Sequence, residues 1–423
     1  MALSPPGSLL DDLAGTVDGA AREAGPGDDV AGVPARWVAS PSTTEEAAEL
    51  LALAARTGTS VVVRGRGTAL HLAPPPHSAD LLVSTTRLNG VVEHEAGDLV
   101  CTVQSGTRLD EVNAVVGGAG QQLALDQPVP GSSVGGTLST NRSGPRRLLY
   151  GTPRDLVVGV TMVRADGVIA KAGGKVVKNV AGYDLAKLLG GAHGTLGLIT
   201  RMVVRLHPLP QAARWVVSSF AKPDAAVAAA LQVTGSQVFA SAVELRREAA
   251  GDTTDVCVLL EGTDRGVAGR MAEVTAMLGD GATAMTLDTA DVARVDAGID
   301  DLLVKVALPL TALAGLLSAV TGIERRLGLP CRLTGSAGAG VLHVVCRDVA
   351  ERPEAAAEAV AVLRGATRAA DGGGSAVVLQ APPQVRGLVD SWGPVPALDL
   401  MRRVKHEFDP DGRFAAGRFV GGI

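Results

Sequence analysis

Three glycine-rich segments in the first half of the chain are the sequence feature that most restricts the fold. They are Gly65–Thr68, Gly131–Gly136 and Gly190–Gly197 in a chain of 423 residues. Closely spaced glycines after a strand direct consecutive backbone N–H groups into one concavity, which binds phosphate without a charged side chain. Three such turns in one domain indicate a long ligand that carries phosphate groups, and a dinucleotide fits that description.

The common nucleotide-binding fingerprints do not match these segments. The first, "RGRGTALHL", has Leu70 where the third glycine of the Rossmann pattern G-x-G-x-x-G belongs. The third, "GGAHGTLG", precedes a strand pattern, whereas the Rossmann loop opens a helix. No G-x-x-x-x-G-K-[ST] motif occurs in the sequence. The glycines therefore predict a dinucleotide site of another type.

Local patterns predict alternating helices and strands around these loops. "SPSTTEEAAELLALAARTG" predicts a helix, with Ser42 and Glu45 at capping-box spacing and Gly58 as a left-handed C-cap. Ser60–Val63 predicts the strand that enters the first glycine loop. Asp166-Gly167 predicts the turn of a β-hairpin.

A long Gly/Ser/Pro segment begins at Asp126, "DQPVPGSSVGGTLSTNRSGPRRLLYGTPRD". Its composition alone predicts a loop or a linker. The segment lies inside the α+β pattern, and long structureless loops within compact domains usually have a function. We therefore expect it to contribute to the site, with an inter-domain linker as the alternative.

The pattern changes after Pro210. Strands and helices then follow in the order β-α-β-β-α-β, and the same order recurs from "LLVKVALPL" to "SAVVLQAP". This doubled split-βαβ pattern predicts one cap domain with helices on one face of an antiparallel sheet.

Composition excludes several functional classes. The net charge of -5 and the pI near 5.9 argue against a nucleic-acid ligand, which requires a basic surface. The four cysteines form no Cys-x-x-Cys pair and the seven histidines no metal-binding motif, so we expect neither an iron–sulfur cluster nor a metal site. The N-terminus lacks the basic region of a secretory signal and no apolar run reaches spanning length, so a cytoplasmic chain is expected.

The ordered motifs "VVVRGRGT", "PVPGSSVGGTLSTNRSGPRR", "KNVAGYDLAKLLGGAHGTLGLIT" and "FDPDGRFAAGRF" resemble the FAD-binding flavoproteins of the vanillyl-alcohol oxidase or PCMH type. Within that family the chain is most similar to the smaller FAD-binding (E) subunit of bacterial glycolate oxidase. The resemblance implies an α+β fold, in which two subdomains clasp FAD beneath a ferredoxin-like, duplicated cap. It implies an N-terminal segment at residues 1–30, an FAD-binding domain at 31–210, a cap at 211–380 and a C-terminal segment at 381–423 that packs back on the FAD domain.

The resemblance also assigns residues to FAD. The first loop is expected to hold the pyrophosphate, the second segment to continue that clasp, and the third to lie beside the adenosine half. These residues are Arg64, Gly65, Arg66, Gly67, Thr68; Gly131, Ser132, Ser133, Gly135, Gly136, Thr140; and Gly194, Thr195, Gly197, Ile199. For each glycine, a tight turn without ligand contact is the alternative.

Departures from the family pattern affect the chemistry. Thr68 stands where covalent members often have a histidine, so non-covalent FAD is expected, with His71 as an alternative attachment residue. His193 occupies the position of a glutamate in the larger, substrate-oxidising relatives. Arg142, Arg146, Arg147 and Arg154 suit an anionic substrate, the FAD phosphates, an acidic partner or a solvated surface. No catalytic base is identified from the sequence, and His343 is expected to be structural.

The resemblance implies an FAD-binding subunit that supports oxidation of glycolate or a related 2-hydroxyacid. Its expected partners are a larger FAD subunit and an iron–sulfur subunit, through which the chain would be associated with a membrane. One alternative is a self-sufficient oxidase of a sugar acid or alcohol. Another is a structural subunit whose FAD does not turn over. A third, the NADPH-dependent enolpyruvyl-sugar reductase of cell-wall synthesis, shares "PGSSVGG"-like loops but not the C-terminal motif.

Overall fold

The computed structural model describes residues 6–175 and 184–423. Its first subdomain contains a small four-stranded sheet. In this sheet β4, β6 and β5 are parallel and β1 is antiparallel, in the order β1-β4-β6-β5. The first subdomain consists of α1 (Pro6–Thr16), β1 (Ala21–Glu23), β2 (Asp29–Val30), β3 (Val33–Pro34), β4 (Trp37–Ala39), α2 (Thr44–Thr57), β5 (Val61–Arg64) and β6 (Leu81–Ser84).

Helix α2 begins one residue later than its sequence pattern predicts. The N-cap is Thr43, whose side chain accepts a hydrogen bond from the N–H of Glu46. Ser42 instead donates its backbone N–H to the Glu46 carboxylate over 2.7 Å. Gly58 is confirmed as the C-cap, with φ of 67°.

The second subdomain is built on a five-stranded antiparallel sheet in the order β11-β10-β12-β8-β7. The segment after Asp126 forms three short helices and is neither a structureless loop nor a linker. The elements are β7 (Val91–Glu95), β8 (Val100–Gln104), α3 (Leu109–Gly117), β9 (Gln121–Gln122), α4 (Val134–Thr140), α5 (Arg147–Tyr150), α6 (Pro153–Leu156), β10 (Val157–Val163), β11 (Ile169–Gly173), α7 (Leu185–Leu189), β12 (Leu198–Arg205) and β13 (His207–Pro208).

The cap contains one eight-stranded antiparallel sheet, in the order β17-β14-β16-β15-β19-β20-β18-β21. Its elements are β14 (Ala212–Phe220), α8 (Pro223–Thr234), β15 (Ala242–Arg247), β16 (Thr254–Gly262), α9 (Asp264–Leu278), β17 (Thr283–Met285), α10 (Thr289–Ala293), β18 (Leu302–Ala307), α11 (Leu313–Leu327), β19 (Cys331–Ser336), β20 (Val341–Cys346), α12 (Pro353–Arg368) and β21 (Ser375–Gln380). Each half has the same internal strand order, and the pairing of β15 with β19 joins the halves. The predicted duplication is confirmed.

The two faces of the cap sheet differ in chemistry. The four long helices bury one face, where Val304, Val306, Leu342 and Val344 join a single large apolar core. Because side chains alternate along a strand, the residues between these valines and leucines point to the opposite face. That face carries Lys305 and His343 and lies toward the second subdomain.

The C-terminal segment packs on the first sheet. It contains α13 (Pro383–Arg386) and α14 (Leu398–Phe408), after which the chain runs parallel to β5. The N–H of Val61 donates to the carbonyl of Arg413, and the N–H of Ala415 donates to the carbonyl of Val61, both over 2.8 Å. Phe414 is thereby buried in the core of the first subdomain. None of the helices in the described part of the chain is long and apolar enough to cross a bilayer.

Candidate functional site

A cavity between the two subdomains brings the three glycine-rich segments together. Twelve of the fifteen residues assigned to FAD line it: Gly65, Arg66, Gly67, Thr68, Ser132, Ser133, Gly135, Gly136, Thr140, Gly194, Gly197 and Ile199. The remainder of the wall includes Val62 and Leu109, which are buried apolar residues from the two subdomains.

The loops approach closely because two positions have no side chain. A Cβ on Gly65 would lie 2.3 Å from Ser133 Oγ, and a Cβ on Gly135 would lie 2.7 Å from Ser105 Cβ. Both distances are far below van der Waals contact, so a larger residue would separate the first loop, α4 and the end of β8. These glycines therefore have a packing role and also leave backbone accessible to a ligand.

Hydroxyl groups fix the second segment against the first. Thr68 Oγ1 and Ser132 Oγ share a hydrogen bond of 3.2 Å. Ser133 is the N-cap of α4, and its Oγ accepts a hydrogen bond from the N–H of Gly136 over 3.3 Å. Thr140 Oγ1 donates to the carbonyl of Gly136 over 2.9 Å, so this wall of the cavity is pre-organised.

Three of the residues assigned to FAD lie outside this cavity. Arg64 turns away and pairs with Asp28 over 2.8 Å. Gly131 has φ of 77° and makes the turn that precedes Ser132. Thr195 is buried, and its hydroxyl donates to the carbonyl of Ala192 over 2.7 Å.

Arg418, which the sequence reasoning did not single out, lines the same cavity. Its Nη2 donates to the carbonyls of Leu70 and Leu72 over 3.0 and 2.6 Å, and its Nη1 is buried without a partner in the described structure. Burial, reinforced by the charge of Arg386, lowers the pKa of Arg418 to about 10. The group remains cationic at neutral pH and supplies positive charge to the cavity, which Arg66 and Arg142 also line.

A second cavity adjoins the first, beneath the free face of the cap sheet. Pro128, Thr140, Arg142 and His193 line both. The floor comes from the segment around 140–147 and the roof from the cap strands, whose contributing residues include Glu244, Lys305, Thr334, Ser336, His343, Val377 and Leu379. A ligand held in the first cavity, which we call the glycine-lined cavity, can therefore extend beneath the cap.

Three ionisable side chains of the cap sheet have strongly shifted pKa values. Burial raises the pKa of Glu244 to about 8, with the charge of Asp126 as a second cause. Burial lowers the pKa of Lys305 to about 8, with further lowering by Arg147 and Arg142. Burial lowers the pKa of His343 to about 3, with Lys305 as the next cause. At neutral pH the carboxyl and the imidazole are therefore uncharged.

Lys305, His343 and Thr334 form a row across the sheet. In the strand pairing Lys305 lies directly opposite His343, and His343 lies directly opposite Thr334. Side chains at directly opposed positions of an antiparallel pair lie close together on one face. His343 is thus flanked by a cation and a hydroxyl.

The structure assigns different positions to the four arginines of the second segment. Arg146 joins the two domains through Glu261 of the cap, over 3.0 Å, and through Asp126, over 3.8 Å. Arg142 and Arg147 line the second cavity. Arg154 lies outside both cavities, where its N–H donates to Asn141 Oδ1 over 3.1 Å.

Aromatic residues close one side of the junction between the cavities. The ring of His193 lies 5.2 Å from Trp392 and 5.6 Å from Phe419. Burial lowers the pKa of His193 to about 4, so it is neutral. Tyr150 instead packs edge-on against His207 at 4.8 Å, outside both cavities, and Tyr183 lies outside the described residues.

Lys305 and Glu244 line the second cavity although the sequence analysis did not single them out, and His343, which was expected to be structural, lines it too. Their signal was present: each is a polar residue inside an otherwise apolar strand, in "LLVKVA", "VLHVVC" and "AVELRR". Strand alternation places all three on the face away from the helices. Only the pairing order of the sheet brings them together.

The residues present fit a dinucleotide. Backbone made accessible by glycines, one buried guanidinium with a free N–H and an unpartnered buried hydroxyl, Ser105 Oγ, all face the first cavity. Such donors suit a diphosphate. The adjoining cavity, with apolar and ionisable walls, suits a ring system and a small anionic molecule beside it.

Two family models match the chain. Residues 35–173 match the FAD binding domain, and residues 255–377 match the C-terminal domain of FAD linked oxidases. An uncharacterized FAD-linked oxidoreductase of Mycobacterium tuberculosis is 29% identical over 91% of this chain and 91% of its own length. Glycolate oxidase subunit GlcE of Escherichia coli is 35% identical over 36% of this chain and 44% of its own length. Glycolate oxidase subunit GlcD of Bacillus subtilis is 32% identical, over 49% of this chain and 44% of its own length.

Solved structures share the fold. p-Cresol methylhydroxylase superposes with a TM-score of 0.74 at 14% identity, covering 97% of this chain and 96% of its own. 4-Ethylphenol oxidase from Gulosibacter chungangensis superposes with a TM-score of 0.72 at 15% identity, with the same coverage. At these identities the likeness concerns the fold alone.

Proposed function

We propose that this chain, an FAD-linked oxidoreductase with the PCMH-type fold that acts on CH–OH groups, oxidises a 2-hydroxyacid such as glycolate to the 2-oxoacid. The observation that carries the proposal is the pair of adjoining cavities. The three glycine-rich segments line one cavity, Arg147 and Lys305 are among the residues that line the other, and the two cavities share Arg142. The glycolate oxidase subunits among its relatives support the same substrate class.

We assign the diphosphate of FAD to the first cavity and the isoalloxazine ring to the junction with the second. Gly65–Thr68 and Ser132–Gly136 would present backbone N–H groups to the diphosphate, and Arg418 would balance its charge. Thr68 lines this cavity, whereas His71 lines neither this cavity nor the one beneath the cap. We therefore expect non-covalent FAD.

Bound FAD supplies the acceptor for the hydride that leaves the α-carbon of the substrate. The chain must bind the substrate carboxylate and accept the proton of the hydroxyl group. Arg142 and Arg147 present guanidinium groups, which suit a carboxylate. Cap strands form the roof of this cavity, and displacement of water by a bound substrate would strengthen these electrostatic contacts.

His343 is the proton acceptor that we propose. Its imidazole is neutral, faces the cavity and lies beside Lys305 and Thr334. Binding of a carboxylate near Lys305 would offset the positive charge that lowers the pKa of His343, and would make the imidazole more basic. Burial raises the pKa of Glu244 to about 8, so this carboxyl is mostly protonated at neutral pH and we do not assign it this role.

Replacement of His343 by glutamine tests this function. We expect His343→Gln to retain FAD and to lower the rate of anaerobic flavin reduction by about 10²- to 10⁴-fold, the usual contribution of a general base. His406→Gln, an exposed histidine on α14, is the matched control. If wild-type protein retains FAD and no 2-hydroxyacid bleaches it, with or without partner subunits, the proposed activity is wrong.

We further propose that electrons leave through partner subunits. The sequence contains no Cys-x-x-Cys motif for an iron–sulfur cluster, and two relatives are described as subunits of glycolate oxidase. A larger FAD subunit and an iron–sulfur subunit are the expected partners. Isolated chain that oxidises glycolate through many turnovers with no added protein would instead favour a self-sufficient oxidase.

A further inference from the structure

The cavity beneath the cap carries three cations without a matching carboxylate. Arg142, Arg147 and Lys305 line it. Among residues 6–175 and 184–423, no carboxylate oxygen lies within 4.0 Å of any of the three. The intervening sequence, "VVKNVAGY", contains no aspartate or glutamate. The cavity therefore has a surplus of positive charge.

Two other enclosed arginines of this protein are paired with carboxylates. Arg247 lies 2.6 Å from Glu324, and Arg146 lies 3.0 Å from Glu261. This is the general behaviour of buried charges, because an unpaired ion loses hydration without compensation. The three cations of the cavity, like Arg418 in the adjoining cavity, lack such a partner, and enclosed unpaired cations indicate the place of an anionic ligand.

The nearby ionisable groups remove only part of the surplus. The charge of Asp155 acts on Arg147, whereas the charges that act on Lys305 are those of Arg147 and Arg142. Burial raises the pKa of Glu244 to about 8, so this carboxyl is uncharged at neutral pH. His343 and His193 are neutral. Mutual repulsion is evident at Lys305, whose pKa is lowered first by burial and then by Arg147 and Arg142.

FAD does not account for three cations in this cavity. Its diphosphate fits the adjoining cavity, where Arg66 and Arg418 supply positive charge besides the shared Arg142, and its oxidised ring system is uncharged. The carboxylate of a simple 2-hydroxyacid would balance one cation and leave two enclosed without partners. A second carboxylate on the same molecule would balance another.

We propose that the cavity selects a 2-hydroxyacid with two carboxylates, in which Arg142 binds the carboxylate beside the reacting carbon and Arg147 with Lys305 binds the other. This inference rests on the proposed function and narrows its substrate class. Arg142 is the cation shared with the glycine-lined cavity, which places it nearest the cofactor. Arg147 comes from α5 and Lys305 from β18, and of the two arginines Arg147 has the larger effect on Lys305.

Substrate pairs that differ by one carboxylate test the proposal on the full-length, FAD-loaded chain. Tartronate is compared with glycolate, and each enantiomer of malate with the matching enantiomer of lactate, by anaerobic flavin reduction. Malonate and acetate serve as non-oxidisable probes whose dissociation constants are read from the flavin absorbance spectrum. We expect malonate to bind at least about tenfold more tightly than acetate, which corresponds to a single additional ion pair.

Lys305→Met keeps most of the side-chain volume and removes the charge. It should weaken malonate by about tenfold or more and acetate by less than about threefold. Lys222→Met, at an exposed position in the cap, is the control.

Equal binding of malonate and acetate, or an equal loss of both in Lys305→Met, would overturn the proposal. Reduction of the flavin by glycolate and lactate alone would also overturn it and would leave the proposed function intact. Selective malonate binding without reduction by any hydroxyacid would support the ligand class and contradict the proposed oxidation.

Discussion

Lys405 links the C-terminal helix to the third glycine-rich loop, and its removal should affect both stability and FAD retention. Its Nζ donates to Asp409 Oδ2 over 2.6 Å, to the carbonyl of Thr195 over 2.8 Å and to the carbonyl of Phe414 over 2.8 Å. The exposed fractions of the two paired side chains are only 10% for Lys405 and 0% for Asp409. The substitution that we consider is Lys405→Met.

The expected cost follows from these contacts. Hydrogen bonds to a charged group contribute about 1.5 to 3 kcal/mol each, and the regained hydration of the ammonium group in the unfolded chain offsets part of the sum. Asp409 would keep its hydrogen bonds from the N–H groups of Arg413 and Phe414 but would lose its counter-ion. We expect the free energy of unfolding to fall by about 3 to 5 kcal/mol, the usual cost of removing one partner of a buried pair.

The effect on FAD follows from the position of Thr195. Its carbonyl accepts from Lys405, and its neighbour Gly194 lines the glycine-lined cavity. A loosened loop should raise the dissociation constant of FAD several-fold. Urea denaturation followed by circular dichroism measures the stability, and fluorescence of released FAD measures the affinity.

A pair on the same helix provides the control. Arg402 lies 3.4 Å from Asp399, but the side chains are 55% and 95% exposed. Exposed pairs contribute about 0.2 to 1 kcal/mol, so Arg402→Met should have a small effect. If Lys405→Met and Arg402→Met destabilise the protein equally, the reasoning from burial is wrong.

Two further predictions concern the glycine-lined cavity and the cap. Gly135→Ala should raise the dissociation constant of FAD, measured by fluorescence titration, because the new Cβ would lie 2.7 Å from Ser105 Cβ. The control is Gly365→Ala, in a helix with open space around that position. This control should leave the dissociation constant unchanged and stabilise the fold by about 0.5 to 1 kcal/mol. Loss of affinity in both variants would contradict this. Burial raises the pKa of Glu244 to about 8, and a carboxyl group whose folded pKa exceeds its unfolded value gives its full stabilisation at low pH and loses it as the pH rises. Between about pH 4.5 and pH 8 the FAD-free wild type should therefore lose a few kcal/mol of unfolding free energy relative to Glu244→Gln, on the order of 1.4 kcal/mol per unit of pKa shift. Urea denaturation at each pH measures the two free energies of unfolding. If their difference does not change with pH, the prediction is wrong.

Helix α2 shows how accurately local sequence predicts the two ends of a helix. Gly58 ends the helix as predicted because only a residue that tolerates positive φ suits that cap. The N-terminus is shifted by one residue because Ser42 and Thr43 are both good caps, and Thr43 places its hydroxyl where the N–H of Glu46 needs an acceptor. Local sequence defines such a boundary only within one residue when two capping residues are adjacent.

The sequence by itself determined the local elements from which the site is built. Glycines at three turns, a doubled strand and helix order and a tail with its own motif are all local patterns, and local patterns depend on backbone sterics and side-chain periodicity. They were enough to predict a dinucleotide cofactor and a duplicated cap, and the family resemblance added twelve of the residues that line the first cavity.

Only the tertiary structure decided which ionisable groups act together. Lys305 and His343 are 38 positions apart in the sequence, and Arg147 belongs to another domain, yet strand pairing and the docking of α5 bring them to one cavity. Their pKa values are set by burial and by one another, which no single stretch of sequence contains. Burial and charge proximity are properties of the assembled fold, and they turn scattered polar residues into a candidate substrate site.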